Sequence, residues 1–355
     1  MSGFSRTGVN SFLIIRLGSL GDVIHGIPVA AALRSHYAQA RIDWLVDPRY
    51  VELLDLVECL DSRIPFDPRE LTSGSGGARR TLRDLRTAQY DAVIDLQGLL
   101  KSAVVARLVA GKRTIGFPRQ HLREPMARFF YTDTPDPGDA RHVIHKNLGL
   151  LSAVGITDAA VHFPIRIPRL SPNDITSSSY AIVNPGAAWP NKRWPPDRFG
   201  AVAAAMQREF GLRSIVLWGP GEESLAAAVA GASQGAAEAA PPTRIDDLVA
   251  LTRDARVMIS GDTGPLHIGG AMGTPLVALF GPTYPERNGP WLPRDIVISR
   301  VSSCVCHYER RCRRAAPCIN EITVADVMDG VRRALLADVE ADGGAHSAAD
   351  GGADG

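Results

Sequence analysis

Apolar runs of strand length alternate along this chain with longer stretches whose apolar residues recur every three to four positions. Residues 12–17, 42–46 and 92–96 show the first pattern, and 24–36, 48–59 and 101–109 the second. That alternation predicts βαβ units and a parallel sheet with helices on both faces. It breaks at "PIRIPRLSPNDITSSS", residues 164–179, where prolines remove ladder donors and serines favour turns, the marks of a linker. Beyond it, strands are expected at 180–184, 214–218, 257–260 and 276–280, and helices at 197–210, 222–232, 245–252 and 265–272. The chain therefore reads as two consecutive α/β domains, 1–168 and 169–337, with a cleft between sheet ends, where such sheets bind ligands. Residues 338–355 lack large apolar side chains towards the end and are expected to be a disordered tail. The stretch "LTSGSGGARR", 71–80, reads as a mobile loop or a flexible surface connection.

With 355 residues, 45% hydrophobic and 22% charged, each half can bury its own core. The net charge of +1 argues against a protein that coats nucleic acid. Arg79, Arg80, Arg83 and Arg86 cluster, as do Lys112, Arg113, Arg119, Arg123 and Arg128. They are either patches for an anionic partner or solvated helix faces. No segment approaches the roughly twenty apolar residues of a membrane span, and a cytosolic protein is expected. Its five cysteines then point to thiols or a metal before disulfides.

Chemistry concentrates at strand ends. In "VMISGDTGPLHIGGAMGTPLVALFGPT", 257–283, a strand meets a tight turn and Pro265 stands where a helix would begin, a place that has no use for an N–H. The N–H groups around Thr263 and the helix dipole suit a diphosphate. Asp262 would repel phosphate, so it is expected to cap the helix or to accept from sugar hydroxyls; His267 faces the same turn. "NPGAAWPNKRWPPDRF", 184–199, puts Lys192 on an extended loop and offers backbone N–H groups at Ala187 and Ala188. "WGPGEES", 218–224, carries Glu222 and Glu223, which serve the helix dipole or grip a ribose diol.

The first half opens with "LIIRLGSLGDVIHGIP", residues 13–28. It does not fit the dinucleotide pattern G-x-G-x-x-G. Gly18 and Gly21 are expected to let a substrate approach the backbone without cradling phosphate. Asp22 is either a helix N-cap or a general base.

"GDVIH", "DAVIDLQGLLKSA", "KRWP" and "SGDTGPLH", in that order, resemble the lipopolysaccharide heptosyltransferases, glycosyltransferase family nine, over about residues 12–333. The resemblance implies the α/β GT-B fold, two Rossmann-like domains with parallel sheets facing a central cleft. The first domain would bind the acceptor and the second a nucleotide-sugar, ADP-heptose. "REPMARFFY", 123–131, looks more like the heptosyltransferase I branch, which adds the first heptose to Kdo on lipid A. That implies inverting, metal-independent transfer from ADP-L-glycero-β-D-manno-heptose to Kdo2-lipid A at the inner leaflet, without a cofactor, by a peripheral protein of the cytoplasmic face. Matched residue by residue, Asp22 is the base, with Gly21 and His25 beside it on the acceptor side. Lys192 contacts the donor, and Asp262, Thr263, Gly264 and His267 form the donor loop. Arg123 contacts the acceptor, Lys101 lies in a stretch associated with it, and Arg79, Arg80 and Arg83 are further candidates. Where the branch often has paired threonines, this chain has Ala187 and Ala188. The loop after Trp218 is short, which leaves Glu222 or Glu223 for the ribose.

"CVCHYERRCRRAAPC", 304–318, has the spacing C-x-C-x5-C-x5-C, without the C-x2-C pairs of common zinc sites, and no metal is expected. Within the family, heptosyltransferase II or an enzyme with another acceptor is the alternative. A nucleotide-binding regulator without turnover is the alternative of a different class.

Overall fold

The structure, a computed structural model, describes residues 9–73, 76–169 and 179–349. The chain divides into two compact units, Met1–Arg166 and Ile167–Gly355. The first contains a parallel sheet of β1 (Ser11–Ile15), β2 (Arg41–Val46), β3 (Ser62–Pro65), β4 (Ala92–Asp95) and β5 (Arg113–Ile115), in the order β3-β2-β1-β4-β5. The second has β6 (Tyr180–Asn184), β7 (Arg213–Val216), β8 (Ala237–Ala239), β9 (Val257–Gly261), β10 (Leu276–Phe280) and β11 (Ile296–Ser299), ordered β11-β10-β9-β6-β7-β8. Every strand pair is parallel.

Both orders reverse direction beside the first strand of the unit, between β1 and β4 and between β6 and β9. Ligands of open α/β sheets bind beyond the carboxyl ends of strands at such reversals. The seven strands expected from apolar runs are the interior ones, covered on both faces. The four that the pattern missed, β3, β5, β8 and β11, are all edges. An edge strand has a paired neighbour on one side and need not be a continuous apolar run. Leu13, Ile15, Leu45 and Val93 lie in the core of the first unit, while Ala181, Val183, Ile259 and Leu279 lie in that of the second.

Three expectations change. Most of 71–80 is helical: helices Glu70–Ser73 and Gly77–Thr87 flank residues outside the description, and Glu70 Oε2 accepts from Ala78 N at 3.1 Å. The longer helix buries Ala78 and Leu85 and packs Leu82 on the core, so apolar anchors override the glycines. The linker begins inside the first unit, because Arg166 N donates to Leu56 O at 2.8 Å and Glu58 N to Pro164 O at 3.0 Å; residues 170–178 lie outside the description. The expected tail is largely helical backbone, since helix Val324–Ala349 continues through it. Its alanines favour propagation from a first half that packs Val327 and Val331 in the core.

Candidate active site

In the second unit, the end of β6 is pinned to the end of β9. Asn184 Nδ2 donates to Ser260 Oγ and to Thr263 Oγ1, both at 2.9 Å. Thr263 is the N-cap of helix Gly264–Met272, but its hydroxyl makes no capping bond, and Pro265 lies in the first turn. The first-turn N–H groups, of which Pro265 has none, are thus left unclaimed by a cap at the positive end of the helix dipole; Thr263 and Gly264 are half-buried, while Leu266 and His267 are buried.

Asp262 precedes the cap and does not itself cap the helix, which removes the first of its two expected roles. Its carboxylate is buried, 7% exposed, and is held by the protein. Oδ2 accepts from Lys192 Nζ at 2.5 Å and from Thr283 Oγ1 at 2.7 Å; Oδ1 accepts from Asn288 Nδ2 at 2.8 Å and has His267 Nε2 at 3.6 Å. Burial opposes ionisation, yet the neighbouring His267 ring and the Lys192 charge overcome it and hold the carboxyl far below its ordinary value. Lys192 stands on the 3₁₀ turn Pro190–Lys192 and not on an extended loop, with Nζ 4.6 Å from the Trp189 ring centroid. Gly261 matters here, because a Cβ would lie 3.1 Å from Lys192 O.

Glu222 lies against the β6 loop: a Cβ on Gly186 would lie 2.1 Å from its Oε2. It accepts from Gly219 N at 3.2 Å and has Arg193 at 3.5 Å. Glu223 is exposed and reaches back to Gly221 N at 3.4 Å. Ala187 is buried and Ala188 exposed. The structure thus brings Glu222, Lys192, Asp262, Thr263 and His267 to neighbouring strand ends, while Glu223 points to solvent beside its own loop.

In the first unit, Ser19 is the N-cap of helix Leu20–Ile24, and Asp22 is its third residue. The bland reading of Asp22 as N-cap is therefore corrected. Its Oδ2 accepts from Ser19 N and Ser19 Oγ, each at 3.0 Å, and its carboxylate is ion-paired with Arg16. Burial raises the Asp22 carboxyl, but the Arg16 charge and the Ser19 bonds more than offset it, leaving it below the ordinary value. Gly18 is not a place for a substrate: its missing Cβ leaves room for the Tyr50 ring, 2.6 Å from where a Cβ would be. His25 is buried, and its ring meets that of His142 edge-on at 5.5 Å.

Across the reversal point, Asp95 ends β4 fully buried. It accepts from Gln97 N at 2.9 Å, Gly98 N at 3.3 Å, Ser102 Oγ at 2.8 Å and Tyr131 OH at 2.8 Å. Burial prevails over these four donors and raises its carboxyl. Tyr131 closes the segment that contains Arg123, and Glu124 Oε2 accepts from Leu100 N at 2.7 Å, next to Lys101. Arg123 and Lys101 are exposed, as are Arg79, Arg80 and Arg83 on helix Gly77–Thr87.

Arg16, Asp95, Tyr131, Asn184, Thr283 and Asn288 were not singled out from sequence. A carboxylate inside the apolar run "AVID" and an asparagine closing "YAIVN" were the available signals. Among the described residues no group of three or more His, Cys, Asp or Glu side chains is arranged to hold a metal, and no helix is long and apolar enough to cross a membrane. Cys304, Cys306 and Cys318 are buried together with Cys312 against them, all as free thiols; burial and its neighbouring thiols push Cys318 up to about 12.

Lipopolysaccharide heptosyltransferase 1 of Pseudomonas aeruginosa is 26% identical over 310 residues, covering 84% of this chain and 86% of the relative. The Escherichia coli K12 protein of the same name is 28% identical over 320 residues, covering 82% of this chain and 97% of the relative. Escherichia coli heptosyltransferase WaaC with ADP shares the fold at a TM-score of 0.75 and 22% identity, covering 91% of this chain and 99% of that one. The ADP-heptose LPS heptosyltransferase II of Escherichia coli does so at 0.73 and 21%, covering 92% and 99%. The architecture is thus GT-B, and the chain is a glycosyltransferase most like heptosyltransferase I. The model of glycosyltransferase family 9 (heptosyltransferase) matches residues 78–316, more than half of the chain, and the chain belongs to that family.

Proposed function

We propose that this chain transfers heptose, with inversion, from ADP-L-glycero-β-D-manno-heptose to Kdo of Kdo2-lipid A. The observation that carries the reading is the Lys192–Asp262 pair beside the uncapped start of helix Gly264–Met272. A departing ADP needs positive charge on its diphosphate. An ammonium fixed by a buried carboxylate and a set of helix-end N–H groups supply it without reorganisation. Donor identity draws support from relatives named lipopolysaccharide heptosyltransferase 1 and from a structural neighbour titled with ADP-2-deoxy-2-fluoro heptose.

In this mechanism the second unit holds the donor. Lys192, Thr263 and Gly264 face the diphosphate, and the backbone at Ala187 and Ala188 adds N–H groups. Glu222 takes the ribose diol in preference to Glu223, because it lies against the β6 loop. Asp262 and His267 position the ammonium, so Asp262 is a positioning residue here and not a sugar ligand. The first unit holds the acceptor. Asp22 takes the proton of the attacking Kdo hydroxyl in a single in-line displacement; two of its lone-pair sites accept from Ser19 and one faces Arg16, out of about four on a carboxylate. Gly21 and His25 belong to the same helical segment. Arg123, Lys101, Arg79, Arg80 and Arg83 meet the acceptor's phosphates and carboxylates by charge-assisted bonds. The proposed setting is the cytoplasmic face of the inner membrane.

The test is ADP release from ADP-heptose with Kdo2-lipid A, run against an acceptor that already bears the first heptose. Release with the first acceptor supports the reading. Release with the heptosylated acceptor alone would assign a later transfer, and none with either would leave a nucleotide-binding protein without turnover.

A further inference from the structure

Tyr284 stands in the loop that leaves β10, and both ends of that segment are tied to Asp262. Thr283 Oγ1 donates to Asp262 Oδ2 at 2.7 Å, and Asn288 Nδ2 donates to Oδ1 at 2.8 Å. Beside this buried network the Tyr284 ring is 42% exposed. It stacks on His307, ring centroids 5.1 Å apart at 27°, with Tyr308 tilted 6.0 Å away. His307 and Tyr308 come from a separate segment that is fastened to the same loop. Cys304, Cys306 and Cys318 are buried together, and a Cβ on Gly281 would lie 3.5 Å from Cys318 Sγ. Tyr308 N donates to Pro282 O at 3.1 Å, and Asn191 Nδ2, next to Lys192, donates to Glu309 O at 2.9 Å. Tyr308 holds a left-handed φ of 58°, a costly conformation for a bulky residue. The cysteine-rich stretch 304–318 thus anchors two rings against the loop that carries Tyr284.

The strand order places these rings relative to the donor. Lys192 follows β6 and Thr263 follows β9, the diphosphate position proposed above, and Glu222, proposed for the ribose, follows β7 on the β6 flank. β10 pairs with β9 on the opposite flank. A nucleotide-sugar laid across these strand ends with its ribose towards β7 has its sugar towards β10, where Tyr284 stands. We propose that Tyr284 is the seat of the transferred sugar, its ring receiving the C–H face of the donor's pyranose. The face of an aromatic ring is the negative part of its quadrupole and attracts the polarised C–H bonds of a sugar. Contact also takes the apolar side of both rings out of water. His307 backs the Tyr284 ring and is a positioning residue for it. This seat rests on the donor reading above and adds a contact for the sugar to those for the ribose and diphosphate.

The test is calorimetric titration of the full chain with ADP and, separately, with ADP-heptose, in the absence of acceptor. Tyr284→Ala should weaken ADP-heptose about tenfold, the order of one apolar ring face returned to water, and leave ADP within about twofold. Tyr284→Phe keeps the face and should bind both ligands as the parent does. His307→Ala should weaken ADP-heptose by a smaller factor, again without touching ADP. Equal losses for the two ligands would mean that the substitution acts through Thr283 and Asp262, and would overturn the proposal, as would no loss for either. A loss in Tyr284→Phe as large as in Tyr284→Ala would also overturn it and give the contact to the hydroxyl. So would unchanged donor binding with a raised KM for the acceptor, which would give the ring to the acceptor's sugar. If no heptose is transferred to any acceptor while the selective loss for ADP-heptose persists, the transfer reading fails and the sugar seat stands.

Discussion

Arg16 and Asp22 face one another across the turn that leaves β1, the guanidinium side chain 8% exposed and the carboxylate 34%. Arg16 also donates to Leu96 O beyond β4, and Leu17 N donates to Gln97 Oε1 at 2.9 Å. The proposed base is therefore fixed to the point where the strand order reverses, and its neighbours keep it ionised.

Asp22→Asn separates a base from a structural partner. Asparagine can still accept from Ser19 N, but it leaves a largely buried guanidinium without its counter-charge. Because the carboxylate is partly solvated, the loss should be about 1–2 kcal/mol, less than for a fully buried pair. Turnover should fall by ~10²–10⁴-fold, the usual contribution of a general base, with little change in ADP-heptose affinity. Turnover within a few-fold of the parent protein, in a sample with the expected loss of stability, would leave Asp22 as a partner of Arg16 and nothing more.

The direction of the Asp22 shift fixes a pH dependence. Its folded value lies below the ordinary 3.8, so the stability it contributes is complete above that value and is lost as pH falls through the folded one. Asp95 has the opposite sign: burial raises its folded value, so it subtracts stability as pH rises through that range. Urea denaturation of the parent and Asp22→Asn proteins should differ by a constant amount above about pH 5, and the gap should close on acidification. A gap that widens towards low pH contradicts this account. No acid limb of turnover at mildly acidic pH should trace to Asp22.

The interior strands and their helices were legible because burial on both faces demands continuous apolar runs, as in "FLII" and "LVALF". Edge strands such as "AEA" at β8 and "RTI" at β5 send no such signal. The site was legible as strand-end loops, since glycine and proline punctuate them. What each side chain does there was less so. Asp262 read as a cap or as an acceptor for sugar hydroxyls, because it precedes a helix. Its partners Lys192, Thr283 and Asn288 come from other loops, and sequence spacing does not encode those distances. Gly18 likewise read as room for a substrate, when the ring of Tyr50 fills it.

Tyr131→Phe tests the anchor of the acceptor segment. It removes one of four donors to the buried Asp95 and leaves Ser102 Oγ and the N–H groups of Gln97 and Gly98. Stability should drop by about 1–3 kcal/mol, and KM for the acceptor should rise more than KM for the donor. Equal changes for both substrates would reduce Tyr131 to a packing role.

Arg123→Ala should raise the acceptor KM without moving the melting temperature, because the side chain is exposed and no ion pair involves it among the described residues. High salt should narrow the difference from the parent protein, since screening weakens the charge that the variant lacks. A donor KM that rises in parallel would argue against an acceptor contact.

Lys192 is bound to Asp262 in the structure, so removing it does two things at once. Lys192→Met leaves a buried carboxylate with Thr283, Asn288 and His267 but without its ammonium, and truncation of one partner of a buried pair typically destabilises by about 3–5 kcal/mol. It also removes the proposed charge on the leaving diphosphate, for which losses of ~10²–10³-fold in turnover are typical of such a donor. The double variant Lys192→Met, Asp262→Asn distinguishes the two. Neutralising the carboxylate should return much of the stability, because no buried charge is then unpaired. Turnover should stay low, because the diphosphate still lacks its ammonium. Parent and variants should be compared in excess EDTA, where the parent protein should keep its activity if Lys192 and the helix end neutralise the leaving group. Recovery of turnover together with stability in the double variant would make Lys192 a counter-ion for Asp262 and remove it from the donor site.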